Sequence, residues 1–286
     1  MSGAWIALRQ ATPARIGLGR SGNALPTPAQ LDFQLAHARA RDAVHAALDA
    51  ERIAAELAAL GLAAVRLRSM AADRSTYLRR PDLGRRLNTD SRHVLQVVMA
   101  GRDPAIRVPG AGRDRAKPGD GEEKKHDTIA FVVADGLSAM AVNAHAVPLI
   151  AAALQIYGES RPAIAPIAVV EGGRVAIGDE IGGLLGVDLV AVLIGERPGL
   201  SAADSLGIYL TWAPAPGVVD AARNCISNIR PAGMPIAAAV AALIELATAA
   251  RRHRTTGVAL SRQIALRDEE FHPGAGREPF LPLPGS

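Results

Sequence analysis

The sequence predicts an α/β protein: a Rossmann-like, mostly parallel sheet in the C-terminal half, preceded by a smaller helical N-terminal domain. Three observations predict it. Short continuous apolar runs, "TIAFVVADG" (128–136), "APIAVVEGG" (165–173) and "DLVAVLIGERPG" (188–199), read as strands buried on both faces, as in a parallel sheet. Helical stretches, 138–158 and 177–186, alternate with them. In the first hundred residues the apolar period is instead that of a helix face.

In chain order, "TPAQ" offers Thr27 as N-cap, Pro28 at the first helical position and Gln30 at the third, a capping box. Leu31 and Leu35, Val44 and Leu48, and Ile53 and Leu57 then mark one face of a single helical run, which Gly61 closes. Pro81 and Gly84 punctuate a second cluster, "TYLRRPDLGRRLNTDSRHVLQVVMA", with a helical tail. Residues 101–127 carry five glycines, three prolines, seven basic and six acidic side chains. They cannot bury enough to offset their ordering entropy, and a flexible linker is expected. Residues 128–265 form the sheet domain, with "LGIYLTWAP" and "NCISNI" as further strands and "PIAAAVAALIELATAARRHR" as a helix whose basic end suits its dipole and which Gly257 stops. Residues 266–286 read as a disordered tail.

Composition excludes several classes. Of 286 residues 49% are apolar, enough for a sizeable core, and no run approaches about 18 consecutive uncharged apolar residues, so no membrane span is expected. The net charge is only +4, almost all of the base is arginine, and aromatics are 3%, so stacking platforms for nucleic acid are scarce. One cysteine, Cys225, rules out an intramolecular disulfide framework. The start lacks the layout of a secretory signal, so a cytoplasmic protein is expected.

Residues 17–22, "GLGRSG", match the spacing of a dinucleotide loop, which would make this a stand-alone dinucleotide-binding protein using Gly17–Gly22. Such a loop needs a strand before it, and Pro13 breaks the candidate. The acidic residue twenty positions on, Asp42, lies mid-helix and cannot reach a ribose. A tight turn is the favoured reading.

In an open parallel sheet, ligands bind beyond the carboxyl ends of the strands. Three such ends, "ADGLS", "EGGRV" and "GERPG", nominate Asp135, Glu171, Glu196 and Arg197. Asp135 also reads as a helix cap, and Arg174 and Arg197 as solvated rim charges. No phosphate-binding loop, zinc spacing or nucleophile elbow occurs, His145 reads as a core histidine, and a lone cysteine is more often a small buried hydrophobe. The residues alone end at a binding fold without catalytic machinery.

"ARIGLGRSG", "YLRRPDLGRRL", "VVADGLSAMAVN", "GERPGLSAADSLGIYLTW" and "CISNIRPAGMP", in that order, resemble the small subunit of ethanolamine ammonia-lyase, from about residue 11 to about residue 260. The 101–127 stretch departs from the family as an insertion. The resemblance implies a two-subunit holoenzyme that converts ethanolamine to acetaldehyde and ammonia with adenosylcobalamin, by radical 1,2-amino migration and elimination. It implies that the large subunit holds the substrate and the radical chemistry, and that this chain, inactive alone, supplies a cofactor-binding surface and no catalytic residue. Three cofactor contacts carry over: Val175 in "GGRVAIGDEIG", Glu196 in "GERPG" and Cys225 in "NCISNI". No D-x-H-x-x-G signature occurs, so no residue of this chain is expected on the cobalt. The family also admits packaging in a bacterial microcompartment, against which the short start argues.

Overall fold

The computed structural model describes residues 3–12, 14–101, 128–158 and 162–271. A seven-stranded sheet forms its centre, in the order β1-β4-β2-β5-β6-β7, with the two-residue β3 (Ala163–Ile164) beside β2. The apolar runs became β2 (Thr128–Ala134), β4 (Ile167–Glu171) and β5 (Leu189–Gly195), mutually parallel and almost wholly buried. β6 (Leu206–Trp212) turns back antiparallel to β5, and β7 (Arg223–Ile229) is antiparallel to β6.

Helices cover both faces. On one lie α3 (Ala50–Ala59), α6 (Ala139–Tyr157), α8 (Ile236–His253) and the start of α9 (Val258–Phe271), around Ile53, Leu57, Phe131, Leu149, Ile208 and Leu243. On the other, α5 (Thr89–Met99) and α7 (Ile177–Leu185) pack Leu95, Ile177 and Ile181 onto Val132, Val170 and Val192. Burying each such side chain stabilises the fold by about 1.5–3 kcal/mol before entropy is counted. Among the described residues only α6 is long and apolar enough to cross a membrane, and half of it is buried in this core.

The first hundred residues are not purely helical. Besides α1 (Gly3–Gln10), α2 (Thr27–His45), α3, α4 (Arg74–Arg79) and α5, they contain a strand, β1 (Ala64–Arg68), that pairs parallel to β4 at the sheet's edge. Its alternation of buried Val65 and Leu67 with exposed Arg66 and Arg68 is that of an edge strand. The expected single helix through 31–57 breaks at 46–49, because Asp49 accepts from the Arg52 amide and starts α3 afresh. Thr27 is the first helical residue, with Pro26 in the cap position and no side-chain cap bond, so the capping box does not form.

At the other end, α8 stops on Arg254 in the left-handed region (φ 52°), three residues before Gly257. The helix α9 then runs to Phe271, past the expected tail boundary at 266. The linker expected over 101–127 lies, but for Gly101, outside the described residues, as does the tail beyond Phe271.

Candidate binding site

The site is built where three loops meet the open face of β6 and β7. The first comes from "RPDLGRRL". Pro81 follows the end of α4, and a single 3-10 turn (Leu83–Arg85) carries the buried Gly84 against the β4–α7 loop. The Gly84 carbonyl accepts from the Arg174 amide at 2.7 Å. A Cβ on Gly84 would stand 2.8 Å from Arg174 Cγ and 3.0 Å from the Gly172 carbonyl oxygen, so the approach requires glycine. Tyr77 is buried between the guanidiniums of Arg74 and Arg174, 4.8 and 4.3 Å from its ring centre, and its hydroxyl donates to the Gly173 carbonyl. Burial holds the phenol well above its ordinary pKa, so it remains a donor. The loop that presents Val175 is therefore fixed from below.

Cys225 comes from β7, where it pairs with Tyr209 of β6. On this strand the alternation aims Arg223 and Cys225 at the α7 side, which α7 only partly covers. Arg223 ties the strand to the helix through a buried bidentate pair with Asp179, at 2.6 and 2.7 Å, and also donates to Thr211 Oγ1 and the Val218 carbonyl. That pair sets the gap between Val175, which precedes α7, and Cys225. Between them opens a cavity of about 330 Å³ lined by Pro81, Arg85, Arg174, Val175, Tyr209 and Cys225, with Asp220 and Arg223 at one end.

The thiol of Cys225 is solvent-accessible but recessed. Partial burial raises its pKa, with Glu196 adding to the rise and a hydrogen bond with Tyr209 opposing it, so at neutral pH it is an uncharged thiol. Tyr209 is pushed up to about 12, chiefly by burial and then by Cys225 and Glu196.

Glu196 extends the same surface. It follows β5, and its side chain lies over Gly207, whose Cβ would stand 3.0 Å from Glu196 Oε1. Gly207 is two residues before Tyr209 on β6. One carboxylate oxygen, Oε2, accepts from Ser205 Oγ at 2.5 Å and from the Asn228 amide at 3.2 Å. Among the described residues Oε1 accepts no hydrogen bond, so it is the oxygen left to receive a ligand's N–H.

The remaining nominated residues fall elsewhere. Asp135 is buried and does not cap α6, which Ser138 caps. Its carboxylate accepts from the Gly173 amide and meets Arg74 at 3.4 Å, bracing the site loop from the core, while burial pushes its pKa up. Glu171 pairs with Arg68 at 2.6 Å on the sheet rim. Arg197 is exposed outside the cavity lining, and His145 is buried in α6. Gly17, Gly19 and Gly22 all have positive φ, Gly22 in the turn closed by a Ser21–Ala24 bridge; among the described residues no strand precedes them, and Asp42 lies within α2. The dinucleotide-loop reading is thus excluded by its missing strand.

Sequence reasoning missed Tyr209, Ser205 and Arg85. Strand parity places Tyr209 with Gly207 on one face, but the β6–β7 register that puts Tyr209 opposite Cys225 is set across strands and is not written in either strand alone.

Residues 2–261 match the model of the family described as "Ethanolamine ammonia-lyase light chain". An ethanolamine ammonia-lyase small subunit from Ralstonia nicotianae is 50% identical over 277 residues, covering 97% of this chain and 93% of that one. Small subunits from Pseudomonas syringae pv. tomato and Azotobacter vinelandii are each 49% identical, covering 93% and 90% of this chain and 85% and 87% of theirs.

Proposed function

The chain belongs to the ethanolamine ammonia-lyase light-chain family, and from that we propose that it is the small, cofactor-binding subunit of an adenosylcobalamin-dependent lyase that converts ethanolamine to acetaldehyde and ammonia. The observation that carries the reading is the convergence of Val175 and Cys225 on one cavity, with Glu196 on the same face beside them.

The residues fit a corrin. Its rim is fringed with neutral amides, and this wall offers an apolar Val175, an uncharged thiol, a phenol and one carboxylate oxygen without a partner among the described residues. Each amide accepted by Glu196 contributes about 0.5–3 kcal/mol. A cavity of about 330 Å³ takes a side arm and not the whole macrocycle, so the rest of the ring needs the surface of another chain. When bound, the cofactor supplies a carbon-centred radical by homolysis of its cobalt–carbon bond; this chain binds and orients its rim.

The N-terminal half of α2 supports a large-subunit partner. Phe33 is 44% exposed, and on the opposite side of the helix Leu31 and Leu35, which their spacing placed on one face, are 58% and 51% exposed. No layer of the described fold covers them, and Phe33 lines a second, apolar hollow with Leu18, Leu25 and Leu200. Leu200 follows the "GERPG" loop, so the hollow adjoins the cofactor surface. We assign this face to the large subunit, in a cytoplasmic hetero-oligomer.

Reconstitution tests the reading. The two chains mixed with adenosylcobalamin should turn over ethanolamine, and either chain alone should not. Turnover by this chain alone, or a complex that binds no cobalamin, would sink it.

A further inference from the structure

We infer that Arg85 and Arg174 form a phosphate-binding clamp on the rim of the Val175–Cys225 cavity, and that its occupant is the phosphodiester of the cofactor's nucleotide loop. The inference rests on the cobalamin reading above and deepens it.

Arg174 carries the first observation. Its guanidinium lies on the Tyr77 ring and one terminal nitrogen reaches the Tyr77 carbonyl at 3.4 Å, yet its Nε is buried without any hydrogen-bond partner. A buried N–H of an arginine left unpaired is costly, and the guanidinium that carries it belongs to a residue lining the cavity. Packing fixes the side chain there: Gly84 leaves the space its stem fills.

Arg85 is the second. It lines the same cavity, is exposed, and has no carboxylate partner among the described residues. The adjacent Arg86 does not line the cavity, and the other arginines of this loop are engaged. Arg80 holds Asp82 in a double hydrogen bond, and Arg79 bonds Ser75. At the far end of the cavity Arg223 is neutralised by Asp179, and the only acidic lining side chain, Asp220, is turned to solvent at 3.5 Å from Arg223 Nε. Two guanidiniums on one rim therefore remain uncompensated. Their paired N–H donors suit a tetrahedral oxyanion better than a carboxamide. Cobalamin brings one such anion, the phosphodiester that joins its corrin side arm to the ribose of its nucleotide. "RPDLGRRL" and "GGRV", far apart in sequence, thus supply one arginine each.

The test uses the complex of both chains, with Arg85→Met and Arg174→Met variants, titrated with adenosylcobalamin, adenosylcobinamide phosphate and adenosylcobinamide, and followed by corrin absorbance. Each variant should bind the two phosphate-bearing corrinoids about tenfold more weakly than the unaltered complex, the scale of a charge-assisted hydrogen bond, and adenosylcobinamide as well as the unaltered complex does. Equal losses for all three corrinoids would overturn the clamp. Inorganic phosphate that binds at these arginines without competing with cobalamin would overturn the cofactor assignment in favour of free phosphate. Should Arg174→Met prevent assembly, the exposed Arg85 decides alone. If the unaltered complex binds no corrinoid at all, the proposed function fails; cobalamin binding indifferent to both arginines defeats only the clamp.

Discussion

Glu196 has one oxygen held by Ser205 and Asn228 and the other turned to the site, which makes it the side chain with most to lose on truncation. Glu196→Ala should weaken adenosylcobalamin binding to the assembled complex by about 1–3 kcal/mol, with thermal unfolding unchanged within a degree or two. Ser205→Ala should shift the same affinity by less, since it removes only the support. Titration of the cofactor by absorbance measures both, and an unaltered dissociation constant for Glu196→Ala removes it from the site. Cys225 gives a pH prediction. Its thiolate is disfavoured by partial burial and by Glu196, so the rate of alkylation by iodoacetamide should still be climbing above about pH 10, where an ordinary thiol has levelled off. A plateau below pH 8 would mean the thiolate is stabilised instead, and bound cobalamin should protect the residue in either case. At this scale the sequence was half legible. Val175, Glu196 and Cys225 were reachable through the motifs that carry them. Their companions Tyr209 and Arg85 were not, because a tyrosine in a strand and an arginine in a basic stretch look like many others until the fold sets them on one wall.

Among elements, the pair that positions α7 against β7 matters most. Asp179 and Arg223 are both buried, so Asp179→Ala leaves an unpaired guanidinium inside the protein and should cost about 3–5 kcal/mol, measured by urea unfolding. Asp179→Leu combined with Arg223→Met should recover most of that loss, since no charge is stranded. A double variant as unstable as the single one would show that packing, not charge burial, dominates there. The elements themselves divide by how their patterns arise. β2, β4 and β5 were legible because a strand buried on both faces is a continuous apolar run, whatever its neighbours. β1 escaped because "AVRLR" alternates with charged residues at a sheet edge, within a stretch dominated by helix formers. The break between α2 and α3 depends on one capping carboxylate, Asp49, which is weak against the longer apolar period on either side. Gly257 was the plausible stop for α8, but the chain turned three residues earlier on Arg254, at a modest strain for a non-glycine residue.

For the whole molecule, the governing fact is that the fold leaves two open surfaces: a polar-rimmed cavity on the α7 face and the apolar hollow that Phe33 of α2 lines. Replacing Leu25 and Phe33 by aspartate should leave the chain folded, as both are exposed, and weaken capture of the large subunit at least tenfold in co-purification; undiminished capture would move the partner to another face. By itself the sequence determined the α/β class, the parallel strands and the family, because each is encoded locally, in runs of adjacent residues whose periodicity or identity survives without partners. Only the tertiary structure decided that the first hundred residues give an edge strand to the common sheet, that Arg174 is braced by Tyr77 and Gly84, and that Cys225 faces Tyr209 beside Glu196. Those are relations between segments 16 to 103 residues apart, set by strand order and register, and no short window along the chain contains both sides of them.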